Sequence, residues 1–241
     1  MKPLGIKNYG SIPHLIGSRL GPADHHAEAG QVAICTEKQR DKHDCIIVQE
    51  KLDGGNVGVA KVNGKILAIT RAGYLAETSP YKTHHAFKAW VEREAGRFDC
   101  LLAEGERACG EWLLTAVGTK YKLNHEPFVI FDIMTGKERL PYLYFADRVK
   151  SFGFEIPTLL HYGYPISING VMERLGEFGH HGAIEPAEGA VWRVERKGKV
   201  DFLAKYVRSE KIDGKYLAAK GGTEVANDVL KEHEYLFEFL K

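Results

Sequence analysis

One lysine stands where covalent chemistry would need it. In "VQEKLDGGNVGVA", residues 48 to 60, Lys51 closes an apolar run and is followed by Asp53 and the paired glycines Gly54 and Gly55. A solvated lysine is protonated at neutral pH and is a poor nucleophile. Burial or neighbouring cations lower its pKa and expose the amine lone pair. A lysine at a strand end, facing a pocket, can then attack a carbonyl or a phosphorus. The glycines would let the backbone come close to a ligand. Taken alone, Lys-x-Asp-Gly is equally the end of a strand followed by an Asp-Gly turn.

The elements that must hold this lysine are legible around it. "DCIIVQE" reads as a buried strand. "NVGVAKVNGKILAIT" reads as a hairpin: Val57 and Val59, then Ile66 and Ala68, alternate around Asn63-Gly64, a type I′ turn signal. "SPYKTHHAFKAWVEREAGRF" reads as a helix capped by Ser79 with Pro80 in its first position, and Phe87, Trp90 and Val91 on one face. "ERACGEWLL" and "FVIFDIM" read as strands. Helices are expected around Phe145 to Phe152 and from Ser167 to Phe178. "GAVWRVERKGKVDFLAKYV" reads as a second hairpin turning at Lys197-Gly198, and 223–241 as a C-terminal helix through Val225, Val229 and Leu236. Residues 1–45 form an irregular lead-in, rich in Gly, Pro and His over the first thirty. Strands and helices mix without regular βαβ alternation, so the fold class is α+β, with antiparallel sheets and packed helices. A single domain over 1–241 accommodates all of it.

Composition narrows the class. Apolar residues make up 44% and charged residues 27% of 241, enough to bury a core without metal or disulfide staples. Cys35, Cys45, Cys100 and Cys109 form no CxxC pair, which argues against a zinc or redox motif. With no signal peptide and no apolar run near 18 residues, the chain reads as cytoplasmic, with reduced thiols and no membrane. The net charge of +1 leaves nucleic acid open, since a local basic patch decides that. From Arg193 to Lys220 nine Lys/Arg face four acids, either a solvated hairpin or such a patch. The pairs His25-His26, His84-His85 and His180-His181 are poor chelators, because adjacent side chains diverge.

Six short motifs occur in order: "EKLDGGN" (50–56), "TRAG" (70–73), "GEW" (110–112), "FVIFDI" (128–133), "EGAVW" (188–192) and "FLAKYVR" (202–208). Together they resemble the covalent nucleotidyltransferases, the superfamily of polynucleotide ligases and mRNA-capping enzymes. Within it the chain is similar to the RNA ligase family typified by the second RNA ligase of phage T4, catalytic domain only. Asn56, where DNA ligases usually carry arginine, favours the RNA branch. The resemblance implies the nucleotidyltransferase, ATP-grasp-like ligase fold, with a nucleotide groove between antiparallel sheets flanked by helices. It implies ATP as the nucleotide, Mg²⁺ or Mn²⁺ as the metal, and a lysyl-AMP on Lys51. The AMP would pass to a 5′-phosphate end, which a 3′-OH then seals, in RNA or RNA-containing duplexes.

Roles follow from the resemblance position by position. Glu50 would accept from the adenine amino group, and Phe131 would stack on adenine. Asp53 and Gly54 belong to the nucleophile motif. Arg71 would sit near the ribose or the acceptor 5′-phosphate, and Glu111 near the ribose or metal. Glu188 would coordinate the metal, Asn56 would hold metal-bound water, and Lys205 would contact the α-phosphate. Singly, Phe131 could be core, Arg71 surface, and the two glutamates ordinary exposed acids.

Two departures stand out. The family's last motif usually carries two lysines one residue apart, whereas Lys205 is followed by Tyr206, Val207 and Arg208; Arg208 falls on the opposite strand face and reaches phosphate only if the strand bends or ends. After it about thirty residues remain, short of an OB-fold. An accessory protein or the lead-in itself, with Ser18, Arg19 and nearby histidines as phosphate contacts, would then serve RNA ends. The rivals are a DNA ligase or capping guanylyltransferase of the same superfamily, and a catalytically degenerate RNA-end-binding protein.

Overall fold

Short apolar runs, most of them buried on both faces, build nine strands, all paired antiparallel, in two sheets. The computed structural model describes residues 1–241. The first sheet runs β7(Leu159–Gly163)-β1(Asp44–Lys51)-β8(Gly189–Arg196)-β9(Lys199–Val207). The second runs β3(Lys65–Thr70)-β2(Gly55–Val62)-β4(Glu106–Trp112)-β5(Phe128–Thr135)-β6(Glu138–Arg139). Asn63 and Gly64 both have positive φ, as the expected type I′ turn requires, and so do Lys197 and Gly198 at the second hairpin.

Each sheet buries one face under helices. Val57, Val59, Trp112, Phe128 and Ile130 of the second sheet meet Phe87, Trp90 and Val91 of α2(Lys82–Arg93), Phe98 of α3(Ala95–Leu101) and Phe145 and Val149 of α4(Tyr142–Ser151). Ile46, Val48, Trp192, Val194 and Ala204 of the first sheet meet Val32 and Cys35 of α1(Ala29–Thr36) and Val171 and Leu175 of α5(Ile168–Leu175). The opposite faces turn toward each other. Between them lie Tyr9, Cys109, Met134 and Leu203.

A buried ion pair bolts the sheets together. Asp132 of β5 accepts from Arg193 of β8, from Arg139 Nε (3.1 Å) and from Tyr9 Oη (2.6 Å). This leaves neither Asp132 nor Arg193 exposed to water beyond a few per cent, so each needs the other.

The expected elements shift in instructive ways. The helix read from Ser79 begins at Lys82, because the Ser79 hydroxyl accepts from Tyr81 N (3.2 Å) and bonds His84 instead of opening the helix. It breaks at Glu94, where α3 starts. The helix read from Ser167 is capped by that serine but stops at Gly176, whose φ is 67°. The C-terminal helix is corrected to extended chain followed by 3-10 turns over Lys231–Leu240. Loop backbone outbids local helix there: Ala116 N donates to Val225 O, and the Asn227 amide bonds Tyr121 N and Leu113 O. The lead-in is also not wholly irregular. It holds α1, opened by a Glu28/Gln31 capping box. The four cysteines are unpaired. No helix is long and apolar enough to cross a membrane.

Candidate active site

Lys51 is the last residue of β1 in one sheet, and Gly55 is the first of β2 in the other. The tripeptide Leu52-Asp53-Gly54 carries the chain across the gap, which explains why a strand-end lysine is followed by a small, permissive backbone. Leu52 is buried with Leu113, Tyr121 and Val129. Asp53 N donates to Tyr121 Oη (3.0 Å) and Gly54 N to Glu111 Oε1 (3.0 Å). A Cβ at Gly54 would lie 2.5 Å from the Trp112 carbonyl oxygen and 2.7 Å from Leu113 Cδ2, so only glycine fits.

The strand registers deliver the remaining groups to a cavity of about 570 Å³, a size suited to a nucleotide. Lys51 lies opposite Gly189, which puts Glu188 beside it, and Lys51 Nζ meets Glu188 Oε2 at 2.5 Å. Asn56 lies opposite Glu111, so both project from the groove face of the second sheet. Gln49, Val191 and Lys205 form one row across the first sheet. Phe131 lines the cavity half-buried, edge-on to Tyr9 at 4.9 Å. Arg71 is exposed at the mouth, just past β3.

Within this cavity three carboxylates, Glu188, Glu111 and Asp53, crowd around Lys51. Glu111 and Glu188 are each pushed up to about 7, first by burial and then by carboxylate neighbours, while Lys51 pulls them down. Burial alone would lower Lys51, but Glu188, Glu111 and Asp53 outweigh it and raise its pKa. The expectation of a lowered lysine is therefore reversed in this state, because its nearest neighbours are anions. Lys205 moves the other way, lowered by burial and then by Lys51. It contacts Asp24 (3.5 Å), which also meets His14 Nε2 (3.2 Å). His14 is lowered to about 4 by burial and Lys205. Asn56 Oδ1 is buried with no partner.

Glu50 borders the cavity, but alternation turns its carboxylate to the face of β1 away from Lys51. There Oε2 accepts from His180 N (2.9 Å), and burial pushes the acid up to about 7. Arg208 is not at the cavity: Nε donates to Ala187 O (3.0 Å) and Nη2 to Gly176 O (2.5 Å). Ser18 is committed to structure, accepting from Val207 N (2.9 Å) and bonding His14 (2.6 Å). Arg19 does line the cavity. The basic run is no solvated hairpin throughout, since Arg193, Lys205 and Lys211 all point inward. Asp24 and Lys211 escaped the sequence reading. The only signal for Lys211 was its membership of that basic run, and Asp24 had none.

Compared with known proteins, the chain matches the RNA ligase family model over residues 44–207. No curated protein matches. Among solved structures, a Naegleria gruberi RNA ligase with PPi has a TM-score of 0.55 at 20% identity, covering 81% of this chain and 58% of that one. A variant of the same ligase with ATP and Mn has a TM-score of 0.53 at 18% identity and the same coverage. An archaeal ATP-dependent RNA ligase has a TM-score of 0.46 at 21% identity, covering 71% of this chain. The chain spans less than half, 45%, of that archaeal protein. At these identities the likeness is one of fold, the nucleotidyltransferase fold expected from the motifs. The family match covers most of the chain and includes Lys51, Glu111, Glu188 and Lys205. This chain belongs to the RNA ligase family.

Proposed function

We propose that the chain is the catalytic domain of an ATP-dependent RNA ligase, with Lys51 as its nucleophile. The observation that carries this is the convergence of Lys51, Glu188, Glu111, Asn56 and Lys205 on one nucleotide-sized cavity from two separate sheets. Neutral Lys51 Nζ would attack the α-phosphorus of ATP. The bond to the β-phosphate breaks, pyrophosphate leaves, and a phosphoramidate joins AMP to the lysine. An oxygen of an RNA 5′-phosphate would then attack the same phosphorus, and Lys51 departs and regains its proton. A 3′-OH would finally attack the activated 5′-phosphate and release AMP.

Each step needs alignment and charge neutralisation more than covalent skill from other residues. Lys205 would hold the α-phosphate, and Arg71 and Arg19 at the mouth suit the RNA phosphate. Phe131 would take an adenine face. Glu50 keeps its carboxylate on His180 N at the other face of β1, which leaves the adenine amino group to other acceptors of the cavity. Lys51 must shed a proton before it attacks. Neutralising Glu188 removes the strongest attraction that keeps that proton on.

The residues present fit a hard divalent cation, Mg²⁺ or Mn²⁺. Glu188 and Glu111 bring carboxylate oxygens together beside Lys51, and buried Asn56 Oδ1 lacks a donor that a metal-bound water would provide. No three His, Cys, Asp or Glu side chains converge as a ready-made cage, so Glu188 would hold the ion with oxygens of water and substrate. When bound, it supplies positive charge beside the reacting phosphate.

The test is intact-protein mass after incubation with ATP and Mg²⁺ or Mn²⁺, beside Lys51→Ala. Wild type alone is expected to gain one AMP. No gain with either metal removes the first step and moves an RNA-end-binding role ahead. Labelling by GTP instead favours capping, and preference for nicked DNA favours a DNA ligase.

A further inference from the structure

We propose that Lys211, which lies outside the family-matched span, is a phosphate-binding residue of this same site. The inference rests on the ligase reading above.

The registers show why a cation is missing and where one is restored. Lys51, Gly189 and Val207 form one row across the first sheet. Val207, at the cavity wall beside the nucleophile, offers no charge. The next residue, Arg208, spends its guanidinium on the Ala187 and Gly176 carbonyls. The chain then folds back, and Lys211 comes to line the cavity at 8% exposure.

Its ammonium group meets Asp53 Oδ2 at 2.8 Å and donates to Thr119 Oγ1. An ammonium has three N–H donors, and these contacts use two. The third is available to an anion in the cavity. The placement is built rather than incidental. Tyr216 N donates to Val117 O (2.9 Å), and Glu185 accepts from Tyr216 Oη (2.8 Å) and Lys120 N (2.9 Å). A Cβ at Gly118 would lie 2.6 Å from Asp53 Oδ2 and 3.2 Å from Lys211 Cε, so the loop approaches as closely as glycine allows.

Burying a lysine–aspartate pair adds little net stability compared with apolar packing. A buried lysine at the edge of a nucleotide cavity, joined to the loop that carries the nucleophile, fits a ligand role. The group it suits is an anionic phosphate of ATP.

The rival is a purely structural lysine that holds Asp53. Lys211→Gln separates the two, since glutamine can still donate to Asp53 and Thr119 but carries no charge. Calorimetric binding of ATP and of adenosine is measured for wild type, Lys211→Gln and Lys211→Arg. The expected result is a loss of roughly 10- to 100-fold in ATP affinity for Lys211→Gln, unchanged adenosine binding, and substantial rescue by arginine. Equal ATP affinity in wild type and Lys211→Gln overturns the inference while leaving the ligase reading intact. So does an equal loss of ATP and adenosine binding, which marks a structural role. Wild type that binds no ATP overturns both.

Discussion

Replacing Asp132 by asparagine is expected to cost this protein a large share of its stability. The substitution keeps the shape and acceptor oxygen but removes the charge opposing Arg193. Arg193 is 3% exposed and Asp132 1%, so the guanidinium left behind cannot recover its water without parting the sheets. Arg139, the other cation on Asp132, has about a fifth of its side chain exposed and can rehydrate. The loss therefore falls on one buried charge, for which breaking a pair costs about 3–5 kcal/mol. Against a total of roughly 5–15 kcal/mol, that is severe. At about 2–4 °C per kcal/mol for a chain of this size, the melting temperature should drop by roughly 6–20 °C. Urea titration followed by circular dichroism measures it, with Lys88→Ala on the exposed Lys88–Glu92 pair (2.6 Å) as control, expected within about 0.5 kcal/mol. Adding Arg193→Leu to Asp132→Asn should recover part of the loss. A fall below about 1 kcal/mol for Asp132→Asn would refute the claim that this pair bolts the groove together.

Two further outcomes are expected. Gly54→Ala places a methyl group 2.5 Å from a backbone oxygen; it should cost about 1–3 kcal/mol by overpacking and slow AMP labelling of Lys51, and full-rate labelling would show that the crossover loop can yield. Glu111→Gln should change the pH dependence of stability. The folded Glu111 value of about 7 lies above its unfolded value near 4.5, so its contribution is fully present below the unfolded value and is lost as pH rises through the folded one. Buried His14 and His181, lowered to about 4 and about 3, act in the opposite sense over the acid part of that range, so the difference between wild type and variant isolates the glutamate. Glu111→Gln should gain on wild type by up to about 3 kcal/mol between pH 5 and 8, read from urea midpoints. A flat difference would mean that the carboxylate ionises freely.

Strands and turns were legible wherever local pattern and tertiary need agreed. β1 falls where its continuous apolar run puts it, and the Asn63-Gly64 and Lys197-Gly198 hairpins fall where turn chemistry puts them. Reading fails where a distant partner outbids the local preference. The tail from Thr223 carries helical spacing, yet its backbone and Asn227 are taken by the loop around Leu113 to Tyr121. The short β7 was missed because five residues carry too little pattern, and its pairing to β1 spans more than a hundred positions. Lys51, Glu111, Glu188 and Lys205 were legible through ordered motifs. Asp24 and Lys211 were not, since each reaches the cavity by a fold-back that nothing in its own neighbourhood announces. Glu50 illustrates the reverse: it stands next to Lys51 in sequence, and strand alternation alone turns it to the other face.

The crossover at Leu52 to Gly54 has a consequence for the order in which the molecule is made. The second sheet is written contiguously, from Gly55 to Arg139, and can close on itself early. The first sheet is interrupted by it: β1 waits for β7 and β8, and Lys51 meets Glu188 only across 137 positions. Long-range pairings of this kind form slowly, after the loop entropy of everything between them has been spent. During synthesis Lys51 emerges before its acid partner and stays without it until β8 has left the ribosome, so a nascent chain holds the site unassembled. Pulsed hydrogen exchange during refolding is expected to protect β2, β4 and β5 before β1 and β8. Simultaneous protection would mean the two sheets condense as one.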